Sequence, residues 1–383
     1  MMTNPLKPLS LAVLAFALLA GPLHAQQQPA PQNPQAPQTT PDEGPAPADN
    51  GGIVIPKKKD TEEPPPPPAP PEPKIKNPDN ATYSLRVDVP IVNLNVNVIT
   101  DQTHQFIPGL KANNFLVLED GVEQEVTSVR TIQTPITAVM LLEFAANSYY
   151  LIRDMQNASE VFYRSLRPDD YVAVITYDLR THILTDFTNN KSLVAESLNS
   201  LTIPTFSDTN MFDALYETLD RVSRIEGRKY IILIGSGRDT FSRLTLDKTL
   251  AKIKATPNVT IFSIATGGLM NEMSSGGGIR GLNNLQAQNQ LRTFAQMTGG
   301  LYFQPVFQGA LPDVFGQIND SIRNQYLITY KPTNNKSDGS YRKVQVSLID
   351  REGKPLRMAD EKGKPLKYSV IARDGYNARR PVE

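Results

Sequence analysis

Apolar positions fall on two different periods along this chain. Leu85, Val87 and Val89, then Val92, Leu94, Val96 and Val98, alternate with polar residues that include Asn93, Asn95 and Asn97. Alternation of period two marks a half-buried strand of an antiparallel sheet, because successive side chains point to opposite faces. Pro90 interrupts it. Residues 115–118 (FLVL) run into Glu119-Asp120-Gly121, a strand followed by a turn, and residues 126–132 are expected to return. At Ile136 the pattern changes. Residues 136–142 (ITAVMLL) are almost continuously apolar, as for a strand buried on both faces, and similar runs recur at 171–176, 230–234 and 259–265. Helical stretches separate them, near 150–166, 193–201, 212–223, 246–254 and 285–297, with a last one at 314–323. Strands alternating with helices predict an α/β fold, a doubly wound and mostly parallel sheet covered on both faces.

Alternation returns at 326–330 (YLITY) and 343–349, joined across Ser337-Asp338-Gly339-Ser340, and a final strand at 367–372 precedes Asp374-Gly375-Tyr376. The β segments therefore flank the α/β block on both sides. The reading is one β-sandwich built from residues 81–133 and 326–383, with residues 134–325 inserted as the α/β domain. Two separate β domains are the alternative, but about 50 residues each is marginal without disulfides, and the chain has no Cys.

Residues 1–25 read as a Sec-type signal peptide: Lys7 is their only charge, residues 11–20 form a short apolar core, and Leu23-His24-Ala25 offers cleavage after Ala25. The apolar run is about half the roughly 20 residues needed to span a bilayer. Cleavage would leave no transmembrane span and place the protein outside the cytoplasm, secreted or periplasmic; a retained leader would instead serve as an anchor. Residues 26–80 hold 17 of the 32 prolines, including Pro64 to Pro68, and almost no aromatic residues. Such a segment buries too little apolar surface to offset its ordering entropy, so it is expected to be a disordered Pro/Gln-rich linker with polyproline II character.

Composition narrows the chemistry. Lys+Arg and Asp+Glu both number 39, so the chain lacks the net basic charge that usually marks a nucleic-acid binder. With no Cys there are no thiolate metal sites and no cysteine nucleophile. Three His, one of them in the leader, leave little imidazole for acid–base work. Gly235-Ser236-Gly237 after a strand hints at a dinucleotide loop, but Thr240 occupies the place of the third glycine. Ser236 is not a nucleophile elbow either, because Ile234 stands where the first glycine belongs. His182 reads as a surface or edge-strand residue, and Asp169-Asp170 as a turn before a buried strand.

Ligands of open α/β sheets bind beyond the carboxyl ends of the strands. The loops there are Glu143-Phe144-Ala145-Ala146-Asn147, Ser207-Asp208-Thr209-Asn210 and Gly235-Ser236-Gly237-Arg238-Asp239-Thr240. Their order and spacing resemble a von Willebrand factor A domain. DVPIVNLNVNVITD, IPGLKANNFLVLEDGVEQEV, MTGGLYF, IRNQYLITYKPTNNKSDGSYRKVQVSL and IARDGYNA sharpen this; from about residue 83 to 378 the chain looks like the secreted VWFA-related proteins of acidobacterial genomes. The resemblance implies a metal-ion-dependent adhesion site, where an Asp-x-Ser-x-Ser loop, a distant Thr and a distant Asp hold Mg²⁺ and a partner's carboxylate completes the shell. Carried over by position, Glu143 replaces the first Asp, Ala145 and Asn147 the two serines, Thr209 is the Thr, and Ser236 replaces the second Asp. Asp208 and Asp239 stand as auxiliary ligands. Mg²⁺ wants about six oxygens, preferably anionic, so these replacements weaken the site. They imply a non-enzymatic extracytoplasmic binding or adhesion protein with a degenerate site, whose partner is a protein or another envelope component. The rivals are a metal-independent scaffold module of the envelope and a metal-assisted hydrolase using Glu143 and Asp239.

Overall fold

The computed structural model describes residues 90–131, 134–146, 152–266, 279–360 and 362–379. The expected signal peptide and Pro/Gln-rich linker lie outside the described residues, as do Asn147 and the alternating positions Leu85, Val87 and Val89. In chain order the strands of the first flank are β1 (Val92–Thr100), β2 (Phe115–Glu119), β3 (Val122–Gln124) and β4 (Val126–Thr131). The α/β layer follows with β5 (Thr137–Glu143), α1 (Ile152–Ser165), β6 (Tyr171–Tyr177), β7 (Thr181–Thr188), α2 (Lys191–Asn199) and α3 (Met211–Ser223). It continues through β8 (Lys229–Gly235), α4 (Leu246–Ala255), β9 (Val259–Ala265), α5 (Ile279–Met297), β10 (Tyr302–Phe303) and α6 (Leu311–Arg323). The second flank contributes β11 (Tyr326–Tyr330), β12 (Tyr341–Leu348), β13 (Met358–Ala359), β14 (Pro365–Leu366), β15 (Tyr368–Ala372) and β16 (Gly375–Asn377).

The six-stranded sheet runs β10-β9-β8-β5-β6-β7, parallel except for β7 at its edge. Its central strands are apolar throughout because both faces are covered. Ala138, Met140 and Leu142 enter one core with Phe162 and Phe315, whereas Val139 and Leu141 enter the other with Leu215 and Phe294. Strand β7 escapes the apolar-run criterion because THILTDFT sits at the edge and stays half exposed. His182 lies on it, as expected of an edge-strand residue.

The two flanks interleave in two four-stranded antiparallel sheets, β15-β1-β11-β4 and β16-β12-β2-β3. Leu94, Val96 and Val98 project between them onto Phe115, Val117, Ile328 and Tyr330. Asn97 points the other way and is buried against α6, its amide 2.7 Å from the Ser321 hydroxyl. One expectation needs correction. Residues 126–131 do not return beside β2; the short β3 completes that hairpin through the Asp120-Gly121 turn, where both residues have positive φ. After Glu125 the chain crosses to the opposite sheet and β4 pairs with β11. Gln124, buried between Val122 O and Thr333, holds the crossing point.

At the amino-terminal edge of the parallel sheet sits a buried ion pair. Asp170 has a fully buried side chain that accepts from Ile136 N (3.0 Å), Arg167 N (2.7 Å) and the guanidinium of Arg323 at the end of α6. The pair of adjacent acids read as a turn thus contains the anchor that ties the start of β5 to the last helix.

Candidate functional site

The loops beyond β5, β8 and α2 converge at the carboxyl end of the sheet. Glu143 is the last residue of β5, and its carboxylate is buried. Its Oε2 accepts from both the backbone N–H (2.7 Å) and the hydroxyl (2.8 Å) of Ser236, the first residue after β8. The Ser236 hydroxyl in turn accepts from Arg238 N at 3.2 Å. Gly235 makes this closeness feasible: a Cβ there would lie 2.3 Å from the Tyr177 hydroxyl and 2.7 Å from Glu143 Oε2. Tyr177, wholly buried at the end of β6, has its hydroxyl pushed well above the usual phenol range by burial and then by the charges of Glu143 and Asp239.

Thr209 is buried too, and its hydroxyl donates to Arg238 O at 2.8 Å. Its backbone carbonyl accepts from Thr240 N and Phe241 N, both at 2.9 Å, and its N–H donates to the Thr240 hydroxyl. Glu143, Ser236 and Thr209 therefore meet in one hydrogen-bonded chain that runs through the backbone of Arg238. Asp208 is exposed and accepts from the Thr240 hydroxyl at 3.1 Å. Ala145 is buried without a side-chain oxygen to offer, and Asn147 is outside the described residues.

Asp239 serves the start of α3. Asn210 occupies the N-cap without a side-chain cap bond, and Asp239 Oδ1 accepts from Phe212 N at 3.0 Å and from the Ser242 hydroxyl at 2.6 Å. Asp213 completes the arrangement by accepting from Arg243 N and Leu244 N. Both carboxylates sit where a helix exposes unpaired N–H groups and favours negative charge. Burial raises the Asp239 pKa above the usual carboxylate value despite these hydrogen bonds. The ionised form is thus disfavoured by folding, and protonating Asp239 stabilises the fold as pH falls from the folded value towards the unfolded one. Asp239→Ala is expected to cost about 1 kcal/mol through the lost cap, whereas Asp239→Asn, which keeps an acceptor, is near neutral; urea unfolding at neutral pH separates the two.

These donors do not suit Mg²⁺. Glu143 Oε2 already accepts from two donors of Ser236, Ala145 offers no side-chain oxygen, and Asp239 Oδ1 accepts from Phe212 N and the Ser242 hydroxyl. Among the described residues no three His, Asp or Glu side chains form a cluster that could hold a metal ion by themselves.

Residues 148–317 match the family model of the von Willebrand factor type A domain. The central layer has the von Willebrand factor A fold. No curated protein sequence matches the chain. Among solved structures, the vWF domain of the type V pili tip protein Mfa5 from Porphyromonas gingivalis is similar at 13% identity and a TM-score of 0.40, over 50% of this chain and 96% of that one. A von Willebrand factor type A protein from Catenulispora acidiphila is similar at 12% identity and a TM-score of 0.39, over 75% of each chain. The PilB minor pilin of Streptococcus sanguinis is similar at 11% identity and a TM-score of 0.38; 51% of this chain matches 63% of that pilin, under two thirds of its length.

The von Willebrand factor A layer carries further residues at this end that sequence reasoning passed over. Phe206, 47% exposed, and Phe241, 60% exposed, stand beside the network: Phe206 O accepts from Ala146 N, and Phe241 N donates to Thr209 O. Leu282 and Leu285, near the start of α5, are exposed as well. Their signal in the sequence is a large apolar residue inside an otherwise polar loop, such as FSDT or DTFS.

Proposed function

We propose that this chain is a non-enzymatic extracytoplasmic binding protein whose von Willebrand factor A domain engages an envelope component or another protein without a metal ion. The observation that carries this is the double donation from Ser236 to Glu143, which engages the Glu143 Oε2 with an N–H and an O–H proton. A buried carboxylate needs compensation, and here neutral donors supply it. Thr209 and Asp239 support the same reading, since their polar groups hold the loop of residues 236–244 against α3. The recognition surface is then the rim, with Phe206 and Phe241 as exposed apolar anchors of the kind that dominate interface energetics. Placement outside the cytoplasm rests on the signal-like pattern of residues 1–25. Among the described residues no helix is long and apolar enough to cross a membrane.

The test is thermal unfolding of the full chain in EDTA and across a Mg²⁺ or Mn²⁺ series. The expected result is no saturable metal-dependent rise, and a Thr209→Ala variant that loses only about 1 kcal/mol, the worth of one hydrogen bond. An adhesion site with a Kd of about 0.1 mM would instead add about 2.7 kcal/mol at 100-fold excess, a rise of roughly 5–10 °C. Such a rise, abolished by Thr209→Ala, would overturn the metal-free reading.

A further inference from the structure

The carboxyl-terminal flank contains a short repeat. Residues 350–357 (DREGKPLR) are followed ten positions on by residues 360–367 (DEKGKPLK). Both copies build the same turn. Asp350 Oδ1 accepts from Glu352 N and Lys354 N, each at 2.9 Å, and Asp350 N donates to Lys354 O at 2.8 Å. Asp360 Oδ1 accepts likewise from Lys362 N at 2.9 Å and Lys364 N at 2.8 Å, and Asp360 N donates to Lys364 O at 2.9 Å. Gly353 and Gly363 take the left-handed position, with φ 77° and 76°. The turn therefore dictates Asp and Gly. It uses only the backbone of Lys354 and Lys364 and asks nothing of the side chains at 357 and 367, yet both copies place a basic residue at each of these positions.

The two hairpins share residues 355–359. Ile349 bridges to Pro355, and Met358 and Ala359 of β13 pair with Leu366 and Pro365 of β14. A turn closes each end of the shared segment, so at about 3.3 Å per residue the two tips stand roughly 15–20 Å apart. Leu356 and Met358 pack on the sandwich core, and Arg357 between them is exposed. Lys367, exposed as well, is one step beyond Leu366 in the same register, which the bond from the Tyr368 hydroxyl to Leu356 O (2.6 Å) continues. Arg357 and Lys367 are thus opposed across the hairpin, and like charges in that relation destabilise a sheet.

Neighbouring acids leave most of these cations open. Asp350 and Asp360 are turned to their own amides, Glu352 is taken by Lys354, and Asp101 beside Lys367 accepts from the Ser369 hydroxyl. Among the described residues the side chains of Arg357, Lys362, Lys364 and Lys367 make no ion pair or hydrogen bond; Glu361 lies outside the described residues. Residues 326–383 hold 13 Lys and Arg against 7 Asp and Glu, so the zero net charge of the chain conceals a basic flank. The surroundings select the anion. Among the described residues of 350–367 no large apolar side chain is exposed, so nothing here enters a lipid layer or stacks on a nucleobase. Two cationic tips joined by a cationic stem fit a linear polymer whose negative charges recur.

We propose that the repeated hairpins bind an acidic polysaccharide, its carboxylates lying along Lys354, Arg357, Lys367 and Lys364. This surface is independent of the metal-free reading of the sheet's carboxyl end. The test is calorimetric binding of the full chain to polygalacturonate, with digalacturonate, dextran, phosphatidylglycerol vesicles and single-stranded DNA as comparison probes. Polygalacturonate is expected to bind saturably, more weakly as salt rises, and at least tenfold more tightly than digalacturonate, which is too short to reach both tips. Dextran, which is neutral, is expected not to bind. Arg357→Gln/Lys367→Gln is expected to weaken the polymer at least tenfold while the thermal midpoint stays level or rises, since the opposed charges are gone. Lys248→Gln, at an exposed position of α4, is expected to leave binding unchanged. No binding of polygalacturonate, binding untouched by the double variant, or equal weakening by Lys248→Gln would overturn the proposal. Vesicles or DNA binding as tightly through the same residues would overturn the polysaccharide assignment, and digalacturonate matching the polymer would overturn the spanning of both tips. Should the double variant fail to fold, the single Lys367→Gln variant carries the same comparison.

Discussion

Replacing Asp170 by alanine is expected to remove about 3–5 kcal/mol of stability, the usual cost of leaving one partner of a buried ion pair without the other. Arg323 has a side chain only 12% exposed, so its guanidinium would stay largely out of water facing no anion. The amides of Ile136 and Arg167 would lose their acceptor as well. Arg323→Met, which withdraws the cation and leaves a hydrophobic stem, is expected to cost less than Asp170→Ala, because two backbone donors still compensate the carboxylate. Urea unfolding at neutral pH checks the order. The acid limb gives a second readout. Burial alone would raise the Asp170 pKa, but Arg323 and the two amides outweigh it and the net shift is downward. The pair therefore stabilises the fold fully above the unfolded carboxylate value of about 3.9, and its contribution is lost as pH falls through the lower folded value. Asp170→Ala should show a shallower loss of stability in that acid window than the parent; an identical acid limb would mean that Asp170 is not the titrating group.

Within the sandwich, the largest effect is expected at Glu119. Its Oε2 accepts from the Tyr330 hydroxyl at 2.7 Å and from the Tyr376 hydroxyl at 2.9 Å. Tyr330 belongs to the sheet of β1, β4, β11 and β15, and Glu119 and Tyr376 to the facing one, so this carboxylate links the two halves of the sandwich. Glu119→Ala leaves the buried Tyr330 hydroxyl without its acceptor and is expected to cost roughly 2–4 kcal/mol. Tyr330→Phe should cost about 1.5–3 kcal/mol, the range for a hydrogen bond to a charged group. Tyr376→Phe should cost less, since that side chain is only half buried. Burial, then the bond to Glu119, holds the Tyr330 hydroxyl protonated far above the usual phenol range. Stability is accordingly expected to fall as pH rises past about 10, where the unfolded phenol ionises, and Tyr330→Phe should flatten that alkaline loss. Chemical denaturation across pH 8–11 reads both effects.

The periodicity of the chain carried most of the architecture. The runs at 171–176, 230–234 and 259–265 each became a central strand, because residues buried on both faces must be apolar throughout. What it did not carry was pairing across distance. Alternation at 126–132 has the same appearance whether the strand returns beside its neighbour or crosses to the opposite sheet, and only the buried amide of Gln124 at the crossing decides it. Edge strand β7 was invisible for a related reason: with one neighbour and half-exposed faces, nothing obliges its side chains to be apolar. At the candidate site, positional carry-over located Glu143, Ser236 and Thr209, which do meet. Their bonds to one another were not legible, since whether an oxygen faces a cation or an N–H depends on loop geometry that spacing does not record. Asp239, expected as an auxiliary ligand, also caps α3 from a loop distant in sequence.

The interleaving of the two flanks sets an order of events for a chain made from one end. Strand β1 emerges early, yet its ladder partners, Tyr326–Tyr330 and Tyr368–Ala372, come from the far side of the α/β layer. Bringing β1 to β11 through an unstructured intervening chain would cost about 5 kcal/mol of closure entropy. Once the α/β layer has folded that cost falls to about 3 kcal/mol, for Thr131 and Tyr326, on either side of it, are direct partners in one ladder and only the chain from Val96 to Thr131 remains to be closed. The inserted layer thus acts as the splint on which the sandwich is set, and until it forms the amino-terminal strands wait with open edges, the state in which a β-rich chain is most exposed to pairing with a neighbour.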